Sequence, residues 1–548
     1  MAVGGNRAGS LLPPDAPDGI MARMLTLLLA ASALALPVSL EPVPAAARQD
    51  PPKPEAKPEA KPDAEPEPPR GLRVNDPGAF DGLTIIQPLR SKDVHLVDMD
   101  GKVVHTWKTA YSPGAWLHLL PNGNMLKSGH KEDKARFHGG GIGGVIQEID
   151  WDGKVVWEFE LATDDRRLHH DIEPLPNGNL LVIAWEYHSK EDAIAHGRDP
   201  EKAEEVGLWP DEIVELKPAK TRGAEIVWTW RAWDHLVQDR DPAKPNYGKL
   251  SAFPGRIDIN ADHRYEKKEE TPEEKKKRED LEAQMKKLGY TGDAGDPPPP
   301  PGDAPKDGKP GDPDKPKEPP KPSGDFMHTN AVDYLPVEDL IAFSSPHLCE
   351  LYVIDHSTTT KEAAGDAGGR RGHGGELLWR WGNPQNYGMG TGADQKSFYQ
   401  HDPSWIAGTR VGELRLLFFN NGGKRPGGKD FSSVEELVLP YVEGQGFIRE
   451  PKAAFGPAEP VWSYSDPGKF LSEFISGAQR LPNGGTLICE GKAGRVFEVT
   501  KDGKVVWDYL NPLGGEVEPS PQGGKAPPHA LFRAVRVPKS HPGLKGKL

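Results

Sequence analysis

The sequence predicts an all-β, six-bladed β-propeller behind a leader and a linker. Three observations predict it. A hairpin signature ending in tryptophan recurs six times. A Leu-Pro-Asn-Gly turn recurs beside it, as at Leu120 and Leu175. The apolar runs between these marks are strand-length and too short for helices.

Residues 1–47 read as a signal-peptide region. From Met21, which reads as the start, Arg23 supplies a basic head and Leu25 to Leu36 a short apolar core. Small-residue cleavage sites stand at Ala33-Leu34-Ala35 and Ala45-Ala46-Ala47. The core is too short to span a bilayer comfortably. A periplasmic or secreted protein with no membrane span is therefore expected; the competing reading is an uncleaved anchor. Residues 48–70 are a Pro/Lys/Glu-rich linker with almost nothing to bury. The propeller then occupies 71–548, interrupted by a charged, Pro-rich insertion over 264–324 to which no chemistry is assigned.

Within 71–548, Asp100-Gly101-Lys102-Val103-Val104 leads to Trp107. The same pattern leads to Trp157 and Trp507, and looser copies end in Trp228, Trp379 and Trp462. Each copy follows an alternating strand, so strand, turn and strand form a hairpin. A second turn (Leu120-Pro121-Asn122-Gly123, Leu175-Pro176-Asn177-Gly178, Leu481-Pro482-Asn483-Gly484) joins two further strands. One four-stranded sheet cannot bury both its faces, whereas six packed radially can. The Trp of each hairpin is expected to pack between blades. The strand Gly82-Leu83-Thr84-Ile85-Ile86 is expected to close the ring with the C-terminal strands VFEVT, KVVWDY and ALFRAVRV.

Composition excludes several functions. The net charge of −14 lacks the basic footprint of a nucleic-acid binder. Two cysteines, Cys349 and Cys489, exclude a disulfide scaffold and a Cys-based zinc cluster. A single bridge between them is possible, but both sit in apolar runs that suit separate buried thiols. No phosphate-binding G-x-x-x-x-G-K-[ST] loop and no G-x-S-x-G elbow is present. The run Gly139 to Gly144 precedes a strand, so it reads as a turn or a close-packed loop at the mouth of the channel.

Candidate chemistry sits at matching places in the repeat. The strand before each Leu-Pro turn should line the central channel. It begins with His169-His170-Asp171 in the second unit, His328-Thr329-Asn330 in the third, Gln400-His401-Asp402 in the fourth and His529-Ala530 in the sixth. The first and fifth units have Tyr111-Ser112-Pro113 and Ser476-Gly477-Ala478 instead. A lone histidine usually reads as structural. Four in register read as a functional set, able to act as nucleophile, acid, base or metal ligand.

These motifs, with ELYVIDHSTTT, LLWRWGNPQNYG, FFNNGGKRP and ISGAQRLPNGGTLICEG, make the chain resemble the bacterial arylsulfate sulfotransferases over about residues 80–535. The resemblance implies an exported propeller that moves a sulfuryl group from an aryl sulfate to a phenol in ping-pong fashion, with no nucleotide donor and no cofactor or metal. It implies a nucleophile in the Gln-His motif, His401, beside Gln400. It implies two further active-site histidines, His328 of His-x-Asn with Asn330, and His170 of His-His-Asp; His169 is the less favoured member of that pair. The chain departs from the family at Ser344-Ser345-Pro346-His347, where Pro346 occupies the position of a sulfate-binding arginine. His347, Lys424 and Arg425 are the replacements considered. Two other readings compete: a catalytically silent propeller binding an anionic or aromatic ligand, and a metal-dependent hydrolase using the same imidazoles.

Overall fold

The computed structural model describes residues 69–133, 136–261, 323–408, 410, 412–428, 430–515 and 527–547. The leader, nearly all of the linker and most of the 264–324 insertion lie outside the described residues. Six radial antiparallel sheets make the ring, and two small two-stranded sheets lie outside it among the described strands. The inner strands of the ring are Leu531–Pro538, Pro113–Leu119, Arg166–Pro174, Ala331–Leu335, His401–Ile406 and Gly477–Arg480. These are the strands expected to line the channel.

Ring closure differs from the expectation in one respect. Gly82–Pro88 pairs with Leu531–Pro538 (Ile85 opposite Val535) and, on its other side, with Asp93–Val97. The closing blade therefore holds one C-terminal strand and three N-terminal ones. Arg495–Val499 and Val505–Leu510 belong to the preceding blade, whose outer edge is extended by Gly71–Asn75. The reason is connectivity. Each outermost strand passes to the innermost strand of the next blade, so the strand after Val505–Leu510 has to start a new sheet. The extra outer strand covers an edge that would otherwise be open.

The repeated letters do two jobs. The indole of Trp157 donates to Gly223 O (3.0 Å), Trp228 to Thr358 Oγ1 (3.1 Å), Trp379 to Gly456 O (2.7 Å), Trp462 to Lys501 O (2.7 Å) and Trp507 to Met99 O (3.0 Å). Each bond reaches the following blade in the same rotational sense. Trp107 instead meets Trp151 of its neighbour edge-on, at 5.1 Å. Every hairpin tryptophan thus joins two blades, burying a large apolar ring while satisfying its N–H where a bond is made. The Leu-Pro-Asn-Gly turns are tied to their own sheet. Asn177 and Asn179 donate to Glu215 Oε1 (3.2 and 2.6 Å), and Asn122 and Asn124 do the same to Glu148 (2.9 and 2.6 Å). Gly178 takes φ 86°, a left-handed value that favours glycine at the turn. Both cysteines are free and buried.

At the turn end, His356 clamps two blades. Its Nδ1 meets Asp339 Oδ1 at 2.8 Å and its Nε2 meets Glu215 Oε2 at 3.1 Å. Burial opposes the charged imidazolium, but these two carboxylates outweigh it and raise the His356 pKa above its ordinary 6.5. The clamp's contribution is therefore complete below pH 6.5 and is lost as pH rises through the raised value. Relative to wild type, His356→Gln should lose about 2 kcal/mol in acid solution and much less in alkaline solution. Denaturant melts across the pH range check this, and a pH-independent difference would refute the charged clamp.

Candidate active site

Local strand irregularities aim the channel side chains. On the second unit's inner strand, Ile172 pairs with Val182 but His169 already pairs with Ile183, so His170 and Asp171 are bulged out of the ladder. On the fourth, His401 pairs with Phe419 and Ser404 with Leu417, which displaces Asp402 and Pro403. Such a bulge redirects a side chain out of the sheet plane. His170 (φ 53°), His328 (φ 55°) and Asp402 (φ 58°) all take left-handed backbone, a strain that clusters at functional sites.

The three expected catalytic histidines come together. His170 and His328 meet edge to face at 4.6 Å between ring centroids. Phe532 lies 6.0 Å from His170 and 6.3 Å from His401. All three imidazoles are buried. His347 joins them, stacked on His328 at 4.6 Å. His529 does not: its Nδ1 meets the Leu513 carbonyl at 3.0 Å. It sits in the turn ahead of the strand Leu531–Pro538, and that strand sends Phe532 and Arg533 to the cluster instead.

Hydrogen-bond partners assign the tautomers. Asn421 Nδ2 donates to Ser472 O (2.7 Å) and Ile475 O (2.8 Å), which turns its Oδ1 toward His401 Nδ1 at 2.8 Å. Tyr399 O also faces that nitrogen, at 2.9 Å. Both are acceptors, so His401 carries its proton on Nδ1 and its lone pair on Nε2. Burial, reinforced by Arg533, pulls the His401 pKa down to about 3 against the opposing pull of Asn421, so the ring is neutral at ordinary pH. His170 is tied to its neighbour His169 instead. Asp211 Oδ1 lies 3.3 Å from His169 Nε2, and His169 Nδ1 lies 2.8 Å from His170 Nδ1. That Nδ1–Nδ1 contact requires one of the two rings to donate to the other. Burial first, then the neighbouring imidazoles and Arg533, holds the His170 pKa well below its usual value.

His328 is anchored differently. Its Nδ1 bonds the Asp325 carboxylate, which also accepts the Trp185 indole N–H at 3.1 Å. Burial pushes the Asp325 pKa up, but the imidazoles of His328 and His347 overcome it and hold the group ionised. His347 Nδ1 meets the Asp325 carbonyl at 3.2 Å. Asp325, His328 and His347 also offer three ligand atoms within 4.8 Å of one another, the one such group found among the described residues. A borderline cation such as zinc suits that N/O donor set.

Gly141 seats the glycine loop on the site. Its carbonyl accepts the His170 N–H at 2.7 Å, its φ is 66°, and a Cβ there would collide with the His170 ring at Nε2. Gly141→Ala is expected to cost about 1–2 kcal/mol from backbone strain alone and to displace His170. A melt together with a crystal structure checks this; wild-type melting with His170 in place would show that the loop is slack.

A family model, arylsulfotransferase (ASST), matches residues 75–511. The chain belongs to the arylsulfotransferase family. No curated protein matches it. Among solved structures, a Bacteroides caccae protein of unknown function is 10% identical, with 83% of this chain and 99% of that chain covered at a TM-score of 0.36. A Pseudomonas aeruginosa periplasmic gluconolactonase is 9% identical, covering 78% and 96% at 0.33. Likenesses this distant carry no argument about function.

The remaining expected arylsulfotransferase residues are placed as follows. Gln400 spends its side chain on Ser397 Oγ (2.6 Å), Ser345 O (3.1 Å) and Glu350 O (2.6 Å). Asn330 Nδ2 donates to Gln400 O at 2.9 Å, and its Oδ1 accepts from Ser344. Both amides, expected to bind substrate, here hold the strand that carries His401. Arg425 is engaged by Phe431 O (3.1 Å) and Ser433 Oγ (3.0 Å). The Lys424 ammonium donates to Tyr399 Oη at 3.1 Å, two residues before His401 in the chain. Asn421, Asp325, Asp211 and Arg533 were not singled out by the sequence reading. Asn421 lies inside the FFNNGGKRP motif, and Asp325 stands one turn before His328; Arg533 carried no signal.

Proposed function

We propose that the chain is a nucleotide-independent aryl sulfotransferase working by a ping-pong mechanism through a sulfohistidine at His401. The observation that carries this is the donor role of His401 Nδ1 toward Asn421 and Tyr399, which places a neutral nucleophilic lone pair on Nε2. Nε2 attacks the sulfur of an aryl sulfate in line. The S–O(aryl) bond breaks, and the phenolate leaves with the electron pair. Positive charge then develops on the imidazole, and the Asn421 and Tyr399 oxygens stabilise it at Nδ1–H. His328, backed by the ionised Asp325, holds a proton for the departing phenolate oxygen and takes one from the incoming phenol in the second half-reaction. The phenol oxygen attacks the sulfur, and His401 returns neutral. Phe532 offers an apolar face to the aryl rings of donor and acceptor.

Release of p-nitrophenol from p-nitrophenyl sulfate, with and without phenol, tests the proposal. Acceptor-dependent release unaffected by a chelator is expected. A second reading, a metal-dependent hydrolase, is favoured by the Asp325, His328 and His347 donor set; it requires acceptor-independent release that a chelator abolishes. Absence of any release would favour the silent binding propeller. We also infer export, since Met21 to Pro37 reads as a signal; fractionation of expressing cells, with the protein retained in the cytoplasm, would refute it.

A further inference from the structure

The ring-closing strand Leu531–Pro538 carries Arg533, whose side chain is 4% exposed. Its Nη1 donates to Asp171 Oδ2 at 2.9 Å, its Nη2 donates to Asn330 O at 2.9 Å, and its Nε pairs with Asp402 Oδ1 at 3.2 Å. Asp171 directly follows His170, Asp402 directly follows His401, and Asn330 is two residues past His328. One guanidinium thus holds three successive blades at the residues that set where the three imidazoles stand.

The held residues are themselves stitched forward around the ring. Asp171 Oδ2 accepts the Val332 N–H at 3.1 Å, and Asp402 Oδ2 accepts the Ala478 N–H at 2.9 Å. Asp171 and Asp402 stand at the two strand bulges, where the ladder no longer fixes the backbone. A planar fork with fixed donor directions suits two divergent acceptors and a flanking carboxylate; a lysine ammonium, a point charge on a flexible stem, does not. The rings of Trp116 and Phe532 flank the guanidinium at 5.1 and 5.0 Å and limit its motion. Two carboxylates already balance its charge, so it is poorly equipped to bind a sulfate as well.

We propose that Arg533 is the positioning residue of the site, fixing the mutual placement of His170, His328 and His401 from the ring-closing strand without touching substrate. Its kinetic consequences rest on the transferase reading; its geometric claim does not.

Three variants test it: Arg533→Lys, Arg533→Ala, and the triple Asp171→Asn/Asp402→Asn/Arg533→Met, which removes the guanidinium together with both carboxylates that pair with it. Arg533→Lys should lower kcat about 100-fold with KM nearly unchanged, the mark of misplaced reacting groups. Added guanidinium should raise the kcat of Arg533→Ala, and ammonium at equal ionic strength should not. Selective ¹³C labelling of the histidine rings reads the same claim without substrate: the His170 and His401 signals should move in the triple variant, while that of His356, at the turn end, should stay. A folded triple variant with wild-type kcat overturns the proposal. So do unmoved His170 and His401 signals. If the wild type turns over no aryl sulfate, the transferase reading fails alone, and the histidine signals still decide the role of Arg533.

Discussion

His401→Ala should lose both the burst and the covalent adduct. With excess aryl sulfate and no acceptor, the wild type should release about one phenol per protein and then stall, as a trapped covalent intermediate requires. Intact mass should rise by one sulfuryl group, and acid should remove it, because the N–S bond to imidazole is acid-labile. The alanine variant should fall by about 10⁴-fold or more in kcat, since the substitution removes the nucleophilic Nε2. His328→Ala and His170→Ala should slow turnover yet keep the adduct mass. The contrast is informative because all three side chains are equally buried, so loss of packing alone would affect them alike. An adduct that persists without His401 would sink the assignment and move the nucleophile to His170 or His328.

Truncation after Thr500 should abolish soluble expression. It removes Val505–Leu510, which pairs with both Arg495–Val499 and Gly71–Asn75, and it removes Leu531–Pro538, the inner strand of the closing blade. Both faces of the gap would then expose unpaired backbone and apolar surface. Leu531 and Trp507 would go, and with them the cover they give to Leu487 and Val496. The cost exceeds the roughly 5–15 kcal/mol that separates a folded domain from its unfolded chain. Solubility and calorimetry of the truncated protein check the result. A soluble form with one cooperative transition would refute ring closure as the source of stability.

The fold was legible because its signals are periodic. Six hairpin tryptophans sit at interfaces between blades, and the Asn residues of the Leu-Pro turns find a glutamate of their own sheet, so each repeated letter corresponds to a repeated bond. The histidines at the starts of inner strands were legible for the same reason, since equivalent positions in a ring meet at one rim. His529 shared the register but not the fate, because a turn precedes its strand and directs the imidazole to Leu513. Closure was misread in detail, since the sequence does not mark where an outermost strand hands over to the next blade. Asn421 and Asp325 act through tautomer control; such contacts depend on side-chain direction across blades, which no local pattern encodes. Arg533 was invisible for a sharper reason: its three partners lie 362, 203 and 131 residues away in the chain.

That separation has a consequence for timing. Arg533 lies in the last of the described strands, and the imidazoles it is proposed to brace lie in strands that emerge long before. A nascent chain can hold every histidine of the cluster and still lack the group that sets their spacing. On the role proposed for Arg533, full turnover awaits the docking of that strand, and a chain shortened before it should be far slower than the whole.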